Sequence, residues 1–144
     1  MKNSSIVFLL ALVLISCSNN DNVNRNNPFL INPFVDLQLN LSLPEFNQLN
    51  FPGSSIILNA QGIKGIVVYN IDNAQYTAFE LSDPNHAPNE CSKMEISGIE
   101  ATCPCTTDTN KYNIITGQHG VDPNLFPMQR YNAVRTGNVI RISN

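Results

Sequence analysis

Residues 103–105 read Cys-Pro-Cys, a third thiol, Cys91, lies shortly upstream, and the chain's two histidines, His86 and His119, flank the group. Such a turn can hold an iron–sulfur cluster, a structural metal or half of a disulfide, and the residues after it decide which. Here they are Thr106, Thr107 and Asp108, with no histidine. A zinc-type ion needs four Cys, His or carboxylate donors. The set on offer is Cys103, Cys105, His86 and His119, with Cys91 or Asp83 in reserve. Against it, C-x-C is not a usual zinc spacing, and the polar surroundings of both histidines read as exposed loop. The residues therefore predict no bound metal. Asp108 and Asp122 read as ordinary loop acids. Neither a G-x-S-x-G turn nor a Gly-rich phosphate cradle is present, so no enzyme is expected.

Thiol chemistry depends on compartment, and the N-terminus speaks to that. Residues 1–17 read MKNSSIVFLLALVLISC: Lys2 gives a basic start, and Ile6 to Ile15 form an apolar run too short to span a bilayer as a helix. Leu14-Ile15-Ser16-Cys17 resembles the bacterial lipobox, which implies cleavage before Cys17, acylation of that cysteine and attachment to the membrane by several acyl chains. Residues 18–30 begin SNNDNVNRNN, too poor in apolar side chains to offset their ordering entropy, and are expected to form a disordered tether. Ser18 after the acylated cysteine favours an outer-membrane lipoprotein of the cell envelope. Disulfides form and persist in that compartment, so Cys91, Cys103 and Cys105 should form one bridge and leave one thiol.

Residues 31–144 amount to one domain. The charge balance, eight Lys plus Arg against eleven Asp plus Glu, contains no basic stripe, which excludes a nucleic-acid footprint. The elements that must position the cysteines and histidines read as strands. VDLQLNL (35–41) alternates with period two, while SIIL (55–58) and GIVVYNI (65–71) are short, apolar and β-branched. Hairpins are signalled at 69–81 through Asp72-Asn73, at 94–103 through Ser97-Gly98, and between RYNAV and VIRIS through Thr136-Gly137-Asn138. A single helical turn is the most that 44–49 would form. The fold class is all-β, a small antiparallel sandwich or barrel of short strands.

The order of these units resembles a Rieske domain. VVYNIDNAQYTAFELSDPN runs into a turn, a second hairpin ends in TCPC, and KYNIITGQ, a proline-containing loop, RYNAV and NVIRIS follow. The likeness covers about residues 50–144, and the chain also resembles Bacteroidetes-type lipoproteins that keep the layout without the cluster ligands. In the family a C-x-H turn and a C-x-x-H turn clasp a [2Fe–2S] cluster, with histidines on one iron. Those positions fall here on Asp83 and Asn85 in the first turn, and on Cys103 and Thr106 in the second. One ligand of four remains, so the resemblance implies a degenerate cluster site without cofactor. His86 lies one place past the expected histidine, and His119 falls in GQHGVDP, which is similar to the family's covering loop. The resemblance further implies a Cys91–Cys105 bridge. The hairpin 92–103 leaves Cys91–Cys103 as a rival, because both residues flank its base.

Two functional classes follow. In the first, the chain is a non-catalytic envelope lipoprotein, a monomer whose degenerate Rieske-like domain works as a structural or binding module for another envelope protein. In the second, it is a redox or metal-binding protein, of iron–sulfur or zinc type, in the same envelope.

Overall fold

The computed structural model describes residues 27–144, so the expected signal segment, Cys17 and most of the tether lie outside the described residues. Nine strands and one 3-10 turn make up the domain. β1 (Asp36–Asn40) is followed by the turn Asn47–Asn50, β2 (Ser55–Leu58), β3 (Ile66–Asn70) and β4 (Tyr76–Glu80). Then come β5 (Glu95–Ser97), β6 (Glu100–Thr102), β7 (Lys111–Asn113), β8 (Arg130–Thr136) and β9 (Val139–Ser143). Two antiparallel sheets result: a six-stranded one in the order β1-β9-β8-β4-β3-β2, and a three-stranded one in the order β5-β6-β7.

All three expected hairpins form. β3 and β4 pair from Ile66↔Glu80 to Asn70↔Tyr76. Asp72 accepts from the backbone N–H groups of Ala74 and Gln75, and Asn73 takes the left-handed conformation at φ 69°. Asparagine tolerates that conformation better than most residues with a Cβ. The β5–β6 and β8–β9 turns place Gly98 and Gly137 at φ 60°, where a side chain would be strained.

β8 bends the large sheet. Arg130 and Tyr131 pair with β4, whereas Asn132 to Thr136 pair with β9. The strand thus leaves one neighbour as it gains the next, and the sheet curls around a first core of Val35, Leu39, Leu49, Ile66, Val68 and Ile140 with their neighbours. A second core, containing Val67, Phe79, Leu81, Met94, Tyr112 and Ile114, lies between the outer face of β3–β4 and the small sheet. Every residue of β3 and β4 is buried as a consequence. The unbroken apolar run IVVY is what a strand covered on both faces requires.

Asn27 and Phe29, near the end of the expected tether, lie against the domain. Asn27 Nδ2 donates to the Pro84 carbonyl at 2.8 Å, and Phe29 meets Phe126 edge to face with centroids 6.4 Å apart.

Candidate functional site

Two loops meet at the free end of the small sheet. The first leaves β4 through Ser82 and Asp83 and returns to β5, and the second is the Cys-Pro-Cys turn between β6 and β7. An isolated bridge, Ser82↔Lys93, holds the base of the first loop. The Cys103 N–H donates to the Asn110 carbonyl and so fixes the second. A disulfide joins them: Cys91, exposed on the first loop, is bonded to the buried Cys105, with Cα atoms 5.1 Å apart. Cys103 stays a free, buried thiol. Closing a loop with a sequence separation of 14 stabilises a domain by about 3 kcal/mol in the chain-entropy model.

The first loop is ordered around Asp83, which is fully buried. Its carboxylate accepts from Tyr112 Oη at 2.9 Å, from Asn110 Nδ2 at 3.0 Å and from the Asn85 N–H at 2.8 Å. Asn85 Nδ2 in turn donates to Tyr112 Oη and to the Phe126 carbonyl, and its Oδ1 accepts from the Phe126 N–H. The two positions that the Rieske resemblance assigns to ligands in this turn are therefore hydrogen-bonding centres that hold the proline loop. Burial, followed by the neighbouring Asp83 charge, raises the Tyr112 phenol. It remains a donor.

His86 occupies the space between the loops. Its Nδ1 lies 3.0 Å from the Ala87 carbonyl, which can only accept, so Nδ1 carries a proton and Nε2 is left to face inward. Nε2 is 3.4 Å from Cys103 Sγ, 3.5 Å from Asp108 Oδ2 and 3.6 Å from Asp83 Oδ2, and Cys103 Sγ is 3.8 Å from Asp108 Oδ2. Burial, more than any other cause, pushes the Cys103 thiol up to about 12; the Cys105 N–H opposes this, and the Asp83 and Asp108 charges add to it. His86 and Asp108 keep 23% and 20% of their side chains exposed. That leaves a solvent path to the cluster.

The structure departs from two expectations drawn from the sequence. His86 is not an exposed loop residue, because the first loop folds over the Cys-Pro-Cys turn and half-buries its ring. Asp108 is not an ordinary loop acid, because the turn after Cys105 brings it back onto the same ring. His119, by contrast, stands apart from the cluster. Its Nδ1 accepts from the N–H groups of Val121 and Asp122, its ring meets Tyr112 edge to face at 5.2 Å, and its Nε2 is buried without a partner. An isolated bridge between Tyr112 and His119 turns it that way. Thr106 is exposed.

The four donor atoms of His86, Cys103, Cys105 and Asp108 all lie within 4.8 Å of one another. Cys105 is bonded to Cys91, which leaves one thiol, one imidazole and one carboxylate, with Asp83 beside His86. This set does not fit a [2Fe–2S] cluster, which needs four strong donors spread over two irons. Asn85 is tied into its amide network, Thr106 faces solvent, and a single thiol remains.

No family model matches the chain, and no curated protein matches it. Among solved structures, the ferredoxin of carbazole 1,9a-dioxygenase from Nocardioides aromaticivorans IC177 is 16% identical at a TM-score of 0.47, covering 78% of this chain and 98% of its own. A ferredoxin from Sphingomonas yanoikuyae B1 is 17% identical at 0.45, covering 67% and 93%. The E. coli protein NirD is 15% identical at 0.44, covering 78% and 96%. Each likeness is one of fold alone.

Proposed function

We propose that this chain is a non-enzymatic metal-binding protein of the cell envelope, in which His86, Cys103 and Asp108, with Asp83 as fourth donor, hold one divalent ion of the zinc type. The observation that carries the reading is the spacing of the donors. A tetrahedral ion with bonds of about 2.0–2.3 Å sets its ligand atoms roughly 3.3–3.8 Å apart. His86 Nε2 lies 3.4, 3.5 and 3.6 Å from the Cys103, Asp108 and Asp83 donor atoms, and Cys103 Sγ lies 3.8 Å from Asp108.

The hydrogen bonding supports it too. A histidine whose Nδ1–H is spent on a backbone carbonyl presents Nε2 as a ligand, and that carbonyl fixes the ring's orientation. Around Nε2 stand two carboxylate oxygens and one sulfur, so acceptors outnumber protons at the centre. A cation removes that conflict. Asp83 is itself oriented by Tyr112 and Asn110, the outer contacts that a ligating carboxylate requires.

The test is metal analysis of the full chain isolated from its native envelope, followed by stripping and titration with Zn2+. One ion per chain is expected, and binding should fail in His86→Ala and Asp108→Ala variants that keep the parent's circular dichroism. If the stripped protein takes up no ion, the metal reading fails, and the domain is a structural or binding module held by its disulfide.

A further inference from the structure

We propose that the Cys91–Cys105 disulfide is a redox gate on this site: reduction by a dithiol donor frees Cys105 Sγ as a second thiolate ligand and tightens metal binding. The inference rests on the metal-binding reading above and adds its regulation.

The geometry that points to it is the place of the Cys105 sulfur. Although bonded to Cys91, it already lies with the donor atoms of His86, Cys103 and Asp108, all within 4.8 Å of one another. A sulfur that served only to staple two loops would have no need to sit among metal donors. The two ends of the bridge also differ in access. Cys91 is exposed, whereas Cys105 is 5% exposed. An incoming thiolate therefore reaches Cys91 Sγ and not Cys105 Sγ, and the sulfur that is attacked decides which one leaves. Asn89 Oδ1 accepts from the Cys91 N–H at 3.0 Å and lies 3.2 Å from Cys91 Sγ and 3.8 Å from Cys105 Sγ, so the exposed end keeps its place beside the turn.

One thiolate of the donor attacks Cys91 Sγ, a mixed disulfide forms on Cys91, and Cys105 departs as a thiolate into the cluster. The second thiol of the donor then displaces Cys91 and closes the donor's own disulfide. The donor loses two electrons and two protons, and Cys91 and Cys105 gain them. When a divalent ion enters, it replaces the thiol protons of Cys103 and Cys105, which pass to solvent. Cys105 takes the fourth position from Asp83, which stays with Tyr112, Asn110 and Asn85. The ligand set becomes two thiolates, an imidazole and a carboxylate, softer than the oxidised set and better matched to zinc.

Cobalt(II) is the probe, because thiolate-to-cobalt absorption reports the number of sulfur ligands. The full chain is titrated in its oxidised form and after reduction with a phosphine, with affinity read by chelator competition. Reduction is expected to tighten binding by on the order of tenfold or more, since soft thiolate donors select such ions, and to raise the charge-transfer intensity about twofold. The Cys91→Ser variant, kept anaerobic, should behave like the reduced parent without any reductant. Cys105→Ser should bind like the oxidised parent in both states. Equal affinity and intensity in the two states of the parent would overturn the gate while leaving the metal site standing, whereas no binding in either state would overturn both. If reduction unfolds the metal-free domain, recovery of the native circular dichroism on adding cobalt, with the doubled absorption, supports the gate. Failure to recover it refutes the gate.

Discussion

Cys103 shows how a single residue's chemistry depends on its surroundings. In an unfolded chain its thiol ionises at the ordinary value of 9.0, while in the domain burial holds it protonated to about 12. The folded state thus binds this proton more tightly than the unfolded state. The stability contributed is complete below pH 9 and is lost as the pH rises from 9 towards 12. Metal-free domain should become easier to unfold in urea across that window, and the Cys103→Ala variant should show a shallower fall, since Tyr112 and Tyr131, also raised by burial, contribute in the same direction from the ordinary tyrosine range upward. A parent and variant with identical alkaline profiles would mean that the thiol is not held neutral by the fold. His86 carries a second residue-scale lesson. Its type was legible as a donor, but its position one place past the family's histidine gave no sign that the loop would turn it back onto Cys103.

At the scale of elements, the β3–β4 hairpin organises the domain, because its two faces supply two cores. The one charged side chain at its end is Glu80, which is fully buried. Its carboxylate accepts from the Ile63 and Lys64 N–H groups, each at 2.7 Å, from the Ser82 N–H at 3.1 Å and from Tyr131 Oη at 3.0 Å. Those bonds tie the loop before β3 and the start of β8 to the end of β4, just ahead of Asp83. Glu80→Ala would leave four buried or part-buried donors without their partner. At roughly 1–3 kcal/mol for each group left unsatisfied, and with some relaxation towards solvent, the loss should be about 3 kcal/mol or more in chemical denaturation. Glu80→Gln keeps the size and one acceptor and should lose less. A cost below about 1 kcal/mol for Glu80→Ala would show that water replaces the carboxylate.

For the whole molecule, the expected placement rests on the first seventeen residues. Cys17→Ser should leave the chain uncleaved or release the mature domain from membranes, as read by fractionation and mass spectrometry. A variant that is processed and acylated like the parent would remove the lipoprotein reading. The second expectation at this scale is that protein purified anaerobically from its native envelope is colourless and carries no acid-labile sulfide. Three cluster positions are Asp83, Asn85 and Thr106, and the structure spends the first two on hydrogen bonds that hold the proline loop. Stoichiometric iron and sulfide with a Rieske-type paramagnetic signal would overturn it.

The strands, their three hairpins and the all-β class were determined by the sequence itself, because period-two alternation, β-branched runs and the turn residues Asp72, Asn73, Gly98 and Gly137 are local signals. The run Ile66-Val67-Val68-Tyr69 suits a strand buried on both faces, but only the packing of the small sheet shows that β3 is one. The turn expected over 44–49 forms as the 3-10 turn Asn47–Asn50, three residues later at its start and one at its end. What only the tertiary structure decided was which donors meet. His86, Cys103 and Asp108 sit on two loops whose backbones carry no periodicity, and nothing in their spacing says that the small sheet brings those loops together. The same holds for His119, which the bridge to Tyr112 turns towards its own loop. Spacing along a chain reports local geometry, whereas a site built across loops depends on how two sheets pack.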